Sequence, residues 1–248
     1  MRSVVSAVVF DFYGTLAHWA EGAGINYAAV FATYGYPLPD SVLDEYFALY
    51  DGIDHYEHSV SEEAYEVWVR SRLRLLAETG GVHPPHVDAV VDSLRAADQG
   101  PMVAYPEAAA TLRALREAGL AIGVCSNWGW ELNAFLDQVG LLYLVDSATT
   151  SARAGTRKPH PDIYVRAAEA LGADPTDIVF VGDSWEPDVR GPRRMGMTAV
   201  HLWRDGERRG QVAPTLQAGD HRVADLRGVL EVLELRPDAD RHLAGDVS

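Results

Sequence analysis

The chain has 248 residues, of which 48% are hydrophobic and 23% are charged, so it is long enough to bury a sizeable core in one or two domains. Its formal net charge of -15 argues against nucleic acid and anionic membrane surfaces as partners, and small molecules are the expected ones. The apolar run at residues 4–10 is too short for a membrane span or a signal-peptide core, and a single cysteine excludes an intrachain disulfide. We therefore expect a cytoplasmic protein.

The first part of the chain predicts one strand followed by a helical segment. Residues 4–10 are apolar and rich in valine, as is typical of a buried parallel strand, and Gly14 in the DFYGTL sequence that follows permits a sharp turn. From about residue 17 to residue 98 the apolar residues have helical spacing, with Asp40 and Ser61 as predicted helix caps and a third helix after Pro85. The predicted inward faces carry Leu43, Tyr46, Phe47 and Tyr50; Ala64, Val67, Trp68 and Leu75; and Val87, Val90, Val91 and Leu94.

The second part of the chain predicts a parallel sheet. A linker is expected at residues 98–106, then a helix with Pro106 at its start and Gly119 at its end. Predicted strands at 120–127, 142–150, 177–184 and 198–204 alternate with helices around 130–139, 161–171 and 187–195. This alternation favours the α/β class with a doubly wound parallel sheet, formed by residues 1–16 and 100–248, and an inserted helical domain at 17–99. The last dozen residues are polar, and no sequence feature indicates an oligomeric state.

Polar residues follow the predicted strands where ligands bind in open α/β sheets. Asp11 follows the first strand, Ser126 and Asn127 end the second, and Asp183 ends the fourth. The third strand leads into a loop that holds Lys158, the only lysine in the chain. Taken singly, each residue could be a turn, a helix cap or a solvated surface group. Their joint occurrence at successive strand ends favours a single site.

Four sequence motifs resemble those of the haloacid dehalogenase-like hydrolase superfamily. They are DFYGTL, CSN, RKPHP and VGDSWEPD, and they occur in the family's order on the expected elements. The inserted segment resembles the α-helical cap of the first subfamily. The resemblance implies a Rossmann-like core with a cap that closes over the carboxyl edge of the sheet, and hydrolase activity on a small molecule.

The resemblance also implies roles for individual residues. Asp11 would be the nucleophile that forms a covalent aspartyl intermediate, and carboxylates are suited to this task. Mg²⁺ would be held by Asp11, Asp183 and the backbone carbonyl of Tyr13, with Asp188 as a ligand or a neighbour of one. Ser126, with Asn127 beside it, would bind a phosphoryl oxygen, and Lys158 would neutralise charge on the phosphate and on the nucleophile.

Tyr13 departs from the family pattern, because most phosphatases of the superfamily carry an aspartate there as general acid and base. One explanation is a Mg²⁺-dependent phosphatase for a phosphorylated small molecule in which another group replaces this acid. The alternative is a metal-independent 2-haloacid dehalogenase, whose family members carry tyrosine at this place and expel a halide that needs no proton. Gly182 and Asp183 in motif four favour the phosphatase, as does the lack of arginine or lysine between Arg2 and Arg70. A third interpretation is a binding module that retains the fold without catalysis.

Residues near the motifs supply further candidates. Trp19, Trp128 and Trp185 are predicted to contact substrate, and His18 or Glu21 is the leading candidate for the missing acid. Cys125 is expected to pack in the core. The first half of the cap is acidic, and we expect most of these side chains to be solvated; any that line the pocket would favour neutral or amine-bearing monophosphates. They are Glu21, Asp40, Asp44, Glu45, Asp51, Asp54, Glu57, Glu62, Glu63 and Glu66.

Overall fold

The computed structural model describes residues 5–49, 54–204 and 212–235. Within these ranges the strands are β1 (Ala7–Phe10), β2 (Ala17–Trp19), β3 (Met102–Ala104), β4 (Ala121–Ser126), β5 (Ser147–Thr150), β6 (Ile178–Gly182), β7 (Thr198–Leu202) and β8 (His221–Val223). The α-helices are α1 (Tyr27–Thr33), α2 (Asp40–Ala48), α3 (Glu62–Thr79), α4 (Pro84–Ala97), α5 (Ala108–Glu117), α6 (Leu132–Gln138), α7 (Ser151–Ala154), α8 (Pro161–Leu171), α9 (Gly191–Arg194) and α10 (Arg227–Val232). A turn of π-helix lies at Trp185–Arg190.

Six of the strands form one parallel sheet in the order β5-β4-β1-β6-β7-β8. The chain winds from β1 through β4 to β5 on one side, then returns to the centre and winds from β6 through β7 to β8 on the other. The predicted doubly wound sheet is therefore confirmed, and the strand order reverses at β1. This reversal opens a crevice beyond the carboxyl ends of β1, β4 and β6, where such folds bind their ligands.

Helices cover both faces of this sheet because alternate residues of each strand point to opposite faces. On one face Val8 and Phe10 belong to a buried cluster with Leu112 of α5, Phe135 of α6 and Val229 of α10. On the other face Ala7, Val9 and Phe180 cluster with Ile163 and Ala167 of α8.

The strand predicted at residues 142–150 is wrong in its first half, since Leu142–Leu144 forms a 3-10 turn and β5 begins at Ser147.

The inserted segment contains α1 to α4 with a hydrophobic cluster of their own, which includes Phe31, Leu73 and Leu76. The predicted inward face of α4 is confirmed, because its valines and Leu94 are all buried. The predicted face of α3 is wrong, because Val67 and Leu75 are 65% and 46% exposed.

One of the two predicted helix caps is confirmed. Ser61 caps α3 by accepting a hydrogen bond from the Ala64 amide at 3.1 Å. Asp40 is instead the first helical residue of α2, after Pro39 at the cap position. Tyr50 lies outside the described residues.

A short antiparallel ribbon joins the inserted segment to the sheet domain. Ala17 to Trp19 pair with Ala104 to Met102, so the two chain crossings lie side by side. The linker predicted at residues 98–106 is therefore partly a strand. The boundaries of the two predicted domains stay a prediction, although separate hydrophobic clusters on either side of the ribbon support them. Among the described residues, the helices are too short or too polar to cross a bilayer.

Candidate active site

The ends of β1, β4 and β6 bring three of the predicted site residues to one edge of the sheet. Asp11 is in register with the neighbouring strand, because its amide donates to the Val181 carbonyl at 2.9 Å. Ser126 ends β4, and its hydroxyl donates to Asp11 Oδ1 at 2.9 Å. The Asp11 carboxylate is thus held in one orientation at the bottom of the crevice, with only 6% of the residue exposed.

Lys158 joins this group from the loop between α7 and α8. Its ammonium donates to Asp11 Oδ1 at 2.8 Å and to Asp188 Oδ1 at 2.6 Å, and it lies 5.2 Å from the centre of the Phe180 ring. Burial alone would lower the pKa of Lys158, but the two adjacent carboxylates outweigh it and raise this pKa well above its usual range. Lys158 is therefore a buried permanent cation between two anions.

Asn127 positions this lysine through the backbone. Its side-chain nitrogen donates to the Lys158 carbonyl at 2.9 Å, and its side-chain oxygen accepts from the Lys158 amide at 2.7 Å. The nitrogen and the oxygen of the Asn127 side-chain amide both bond to the backbone of one residue, which fixes the loop against the end of β4. In this structure Asn127 acts on Lys158 and does not touch Asp11.

Asp188 is fully buried and holds Lys158 from the other side. Its Oδ1 accepts from the lysine, and its Oδ2 accepts from the Ser184 amide at 2.9 Å. Burial raises the pKa of Asp188, and the positive charge of Lys158 opposes this change. The π-helical turn at Trp185–Arg190 places this side chain under the lysine.

Three carboxylates at this edge suit a hard divalent cation. Oxygen atoms of Asp11, Asp183 and Asp188 all lie within 4.8 Å of one another. Asp183 approaches the backbone turn after β1 so closely that a Cβ at Gly14, where φ is +80°, would lie 2.8 Å from its Oδ2. An all-oxygen donor set of this kind fits Mg²⁺. Because both oxygens of Asp188 already accept hydrogen bonds, Asp11 and Asp183 are the better placed ligands.

His201 supports Asp183 from behind. Arg222 Nε donates to His201 Nδ1 at 3.3 Å, so the proton of the neutral ring is on Nε2, which donates to the Asp183 carbonyl at 3.2 Å. The ring of Trp185 packs against His201 with centroids 5.3 Å apart. Trp185, which was predicted to contact substrate, therefore packs against the histidine that holds the Asp183 backbone.

A cavity of about 420 Å³ lies between the sheet edge and the inserted helices. Tyr13, Trp19 and Trp128 form its wall on the sheet side, and their ring centroids are 5.9 to 6.3 Å apart. Of the three tryptophans predicted to contact substrate, Trp19 and Trp128 line this cavity and Trp185 does not. Neither candidate for the missing acid lines this cavity: His18 packs against Tyr105, with ring centroids 4.9 Å apart, and Glu21 is exposed.

The acidic residues that were considered as pocket residues do not line the cavity either, as far as the structure describes them; Asp51 lies outside the described residues. Sequence reasoning also missed Arg72, which enters the cavity from α3. Its guanidinium carbon lies 4.6 Å from the centre of the Trp68 ring and 5.3 Å from that of Tyr46. The helical spacing of Tyr65, Trp68 and Arg72 was a signal that these residues share one face.

Cys125, next to Ser126, takes no part in the site. It is completely buried on the opposite side of β4 among Val9, Ile163 and Phe180, as the sequence predicted. Burial raises the pKa of its thiol to about 12, which keeps it protonated and inert.

Comparison with known proteins gives one consistent result. A family model described as haloacid dehalogenase-like hydrolase matches residues 5–196. The chain is 30% identical over 190 residues to a glyceraldehyde 3-phosphate phosphatase of Methanopyrus kandleri, which covers 68% of this chain and 77% of that protein. It is 35% identical over 105 residues to (S)-2-haloacid dehalogenase 4A of Burkholderia cepacia, covering 42% and 45% of the two chains. The crystal structure of a 2-haloacid dehalogenase from Pseudomonas syringae pv. Tomato DC3000 aligns over 93% of this chain and 99% of that one with a TM-score of 0.67; at 21% identity this likeness shows the fold alone.

Proposed function

Since the family model spans most of the chain, the protein belongs to the haloacid dehalogenase-like hydrolase family, and we propose that it is a Mg²⁺-dependent phosphatase for a small-molecule phosphomonoester. The observation that carries this proposal is the cluster of Asp11, Asp183 and Asp188, whose carboxylate oxygens lie within 4.8 Å of one another. Three carboxylates against the single cation of Lys158 leave an excess of negative charge that a divalent metal ion would balance. Bound chiefly at Asp11 and Asp183, Mg²⁺ would act as a Lewis acid that draws negative charge from the phosphoryl group.

In the proposed reaction, an oxygen of Asp11 attacks the phosphorus atom and the bond from phosphorus to the ester oxygen breaks. The products of this step are an aspartyl-phosphate and the alcohol, whose oxygen takes up one proton. Water then attacks the same phosphorus atom, the bond between phosphorus and the Asp11 oxygen breaks, and inorganic phosphate leaves. Covalent catalysis of this kind divides one difficult displacement into two easier ones.

Ser126 and Lys158 prepare Asp11 for this attack. Both donate to the same oxygen of the carboxylate, which fixes its rotamer before the substrate binds. The buried ammonium also lies where the negative charge of a phosphoryl group would come closest to the nucleophile. A fixed positive charge in a dry site stabilises developing charge without reorganisation. Asn127 and Asp188 act as positioning residues for the lysine.

The proton for the leaving alcohol has to come from a group other than an aspartate two residues after the nucleophile. Tyr13 occupies that place, is 46% exposed and lines the cavity. Its hydroxyl has no hydrogen-bonding partner within the described part of the chain. We assign the proton transfer to this hydroxyl or to a water molecule beside it.

Metal-independent dehalogenation is the second candidate, and two observations favour it. Tyr13 stands where the dehalogenases of the family carry tyrosine, and Arg72 supplies a cation to the cavity although no arginine or lysine occurs between Arg2 and Arg70. In that reaction Asp11 would attack the carbon that bears the halogen, and the halide would leave without a proton. The carboxylate cluster around Asp183 has no use in such a mechanism, and for this reason we prefer the phosphatase.

One parallel assay separates the two reactions. Wild type and Asp11→Asn are compared with and without Mg²⁺, for phosphate release from 4-nitrophenyl phosphate and halide release from 2-chloropropionate. We expect Mg²⁺-dependent phosphate release that falls by about a thousandfold or more in the variant. Asp137→Asn, on the exposed side of α6, is the control for a lost surface charge. Halide release without metal would refute the phosphatase and establish the dehalogenase. The proposed cytoplasmic location would be tested separately, by fractionation of cells that express the protein.

A further inference from the structure

The cavity next to the nucleophile is the space that a leaving group would occupy. Three of its lining residues are chain neighbours of the site: Tyr13 follows Asp11 by two residues, Asn127 follows Ser126, and Arg157 precedes Lys158. The ester oxygen of a phosphoryl group held at Asp11 would therefore be directed at this cavity. Its shape and chemistry select the alcohol portion of the substrate.

The cavity has an aromatic wall on each side. Tyr13, Trp19 and Trp128 form the wall on the sheet side, where Phe12 and Phe135 support Trp128 with edge-on contacts at 5.3 Å. The wall on the helical side includes Tyr65 and Trp68 of α3, with ring centroids 5.4 Å apart, and residues of the α1–α2 region. Eight of the 21 lining residues are Phe, Tyr or Trp, whereas these types make up 9% of the chain. Two facing walls of rings are suited to hold a flat apolar group between them.

Hydrogen-bond donors line the same space. Tyr27 and Tyr65 both border the cavity, and their hydroxyls donate to no residue in the described ranges. Burial raises the pKa of Tyr65 to about 12 and that of Tyr27 above its usual range, so both remain neutral donors. The guanidinium of Arg72 lies over the Trp68 ring on the same wall. These groups favour a ligand that offers acceptor oxygens.

The charge of the lining also favours an anionic group, in contrast to the acidic protein as a whole. Three arginines (Arg72, Arg95 and Arg157) face the cavity against two acidic residues, Asp98 and Glu131. Arg95 pairs with Asp98 and with Glu66, each at 2.7 Å, so the positive charge of the lining comes from Arg72 and Arg157. Glu131 accepts a hydrogen bond from Gln99 at 2.9 Å. Both carboxylates are thus engaged by neighbouring side chains.

We propose that the phosphomonoester hydrolysed at this site carries an aromatic ring in its alcohol portion, held against the aromatic walls of the cavity, and a carboxylate beyond the ring that is held by Arg72. This inference rests on the proposed phosphatase function and specifies its substrate class. Arg72 is then the residue that determines specificity, and the aromatic walls exclude water from the leaving group. Short polyol phosphates could accept hydrogen bonds from these donors, but they would leave the aromatic walls uncovered.

The test uses three esters of primary alcohols, because similar leaving groups give similar intrinsic reactivity: n-butyl phosphate, 2-phenylethyl phosphate and 2-(4-carboxyphenyl)ethyl phosphate. With Mg²⁺ and the wild-type enzyme we expect kcat/KM to rise by roughly tenfold from butyl to phenylethyl and by a similar factor on addition of the carboxylate. A ratio near one for either pair overturns the inference, while phosphate release itself would still support the phosphatase.

Two variants and one control assign the ratios to residues. Trp68→Leu is expected to lower the ratio of kcat/KM for 2-phenylethyl phosphate to that for n-butyl phosphate by about tenfold. Arg72→Gln is expected to lower the ratio of kcat/KM for the carboxylated ester to that for 2-phenylethyl phosphate by about tenfold. Arg74→Gln is the matched control, since Arg74 lies two residues further along α3, is exposed and pairs with Asp88. Both ratios should be the same in this control as in wild type.

A binding measurement keeps the inference testable if turnover fails. Tryptophan fluorescence is titrated with 3-phenylpropylphosphonate and with pentylphosphonate, which cannot be hydrolysed. Tighter binding of the aromatic phosphonate supports the cavity assignment even if 4-nitrophenyl phosphate and the three esters release no phosphate. That absence of turnover would refute the proposed function alone. Equal binding of the two phosphonates overturns the inference.

Discussion

Lys158 occupies a space that is bounded on three sides. Its ammonium lies 2.8 Å from Asp11, 2.6 Å from Asp188 and 5.2 Å from the Phe180 ring centre, and 2% of its side chain is exposed. A guanidinium is flat and broad, whereas an ammonium is compact and directs its donors to several sides. This geometry gives a physical reason for the only lysine in a chain whose other fixed cations are arginines.

We therefore predict that Lys158→Arg keeps the positive charge but disrupts the geometry of the site. The larger group would push Asp11 from its orientation, and we expect kcat for 4-nitrophenyl phosphate to fall by about a hundredfold or more. Overfilling of a buried space should also lower the free energy of unfolding by roughly 1 to 3 kcal/mol. Steady-state kinetics and urea unfolding measure the two effects.

Arg166→Lys on the exposed side of α8 is the control for exchange of the two cations elsewhere in the chain. It should leave both quantities within error. Unimpaired turnover by Lys158→Arg would mean that charge alone, and not size, matters between the two carboxylates.

The residues of the candidate site differ in how far the sequence could predict them. Asp11, Ser126 and Asp183 could be placed together because carboxyl ends of parallel strands meet at one edge. Arg72 could not, because its position depends on how α3 packs against the sheet domain. That helix faces both its own hydrophobic cluster and a cavity lined by aromatic and charged side chains, and it therefore lacks the single apolar stripe on which helix-face predictions depend.

A short segment joins the inserted helices to the loop that carries Lys158. This docking segment is residues 54–58. The His55 amide donates to the Gly155 carbonyl at 2.7 Å, and the Tyr56 hydroxyl donates to Asp162 at 2.6 Å. From the other side, the Thr156 hydroxyl donates to Asp54 at 2.9 Å. The docking segment thus connects the position of the cap to the loop of the site.

Gly155 makes this contact possible, and its substitution tests it. The residue ends α7 at φ +75°, and an added Cβ would lie 2.6 Å from the Tyr56 ring. Gly155→Ala therefore combines backbone strain with displacement of the docking segment. We expect a loss of unfolding free energy of about 2 to 4 kcal/mol and a lower kcat/KM, measured by urea unfolding and by kinetics.

Gly172→Ala is the matched control, because Gly172 ends α8 at φ +61° with open space around its Cα. Strain alone should cost this variant about 1 kcal/mol and leave kcat/KM as in wild type. Equal losses in the two variants would show that the contact with Tyr56 contributes nothing.

Elements of the sheet were predictable where their sequence pattern was strong. The valine-rich β1 and β6 are buried on both faces and have the continuous apolar runs typical of central parallel strands. The ribbon of β2 and β3 was not predictable, since each strand has three residues and its partner lies far along the chain. Such pairing is decided by tertiary structure and leaves no periodic signal.

The inserted helices and the sheet domain have separate hydrophobic clusters, and this ribbon joins the two parts. Phe31, Leu76 and Val90 belong to the cluster of the inserted helices, whereas Val8 and Leu112 belong to one of the two clusters of the sheet domain. The chain as a whole has a net charge of -15, whereas three arginines line the cavity between the two parts. Under the proposed function, residues of both parts would contact the substrate, while the proposed nucleophile and metal ligands belong to the sheet domain.

Separate centres predict separate unfolding, and two matched leucine truncations test this. Leu76 in α3 is 1% exposed and Leu112 in α5 is fully buried, so each change to alanine should cost roughly 2 to 5 kcal/mol in the part to which the leucine belongs. In Leu76→Ala we expect faster hydrogen exchange in α3 and α4, with unchanged protection of β1, β4 and β6. Leu112→Ala should instead accelerate exchange in those strands. Asp11, Ser126 and Asp183 lie at the ends of these strands. On heating, Leu112→Ala should therefore lose Mg²⁺-dependent phosphate release at a lower temperature than Leu76→Ala does.

If Leu76→Ala lowered protection in the sheet as much as in α3, the two parts would unfold as one unit and the cap could not open independently.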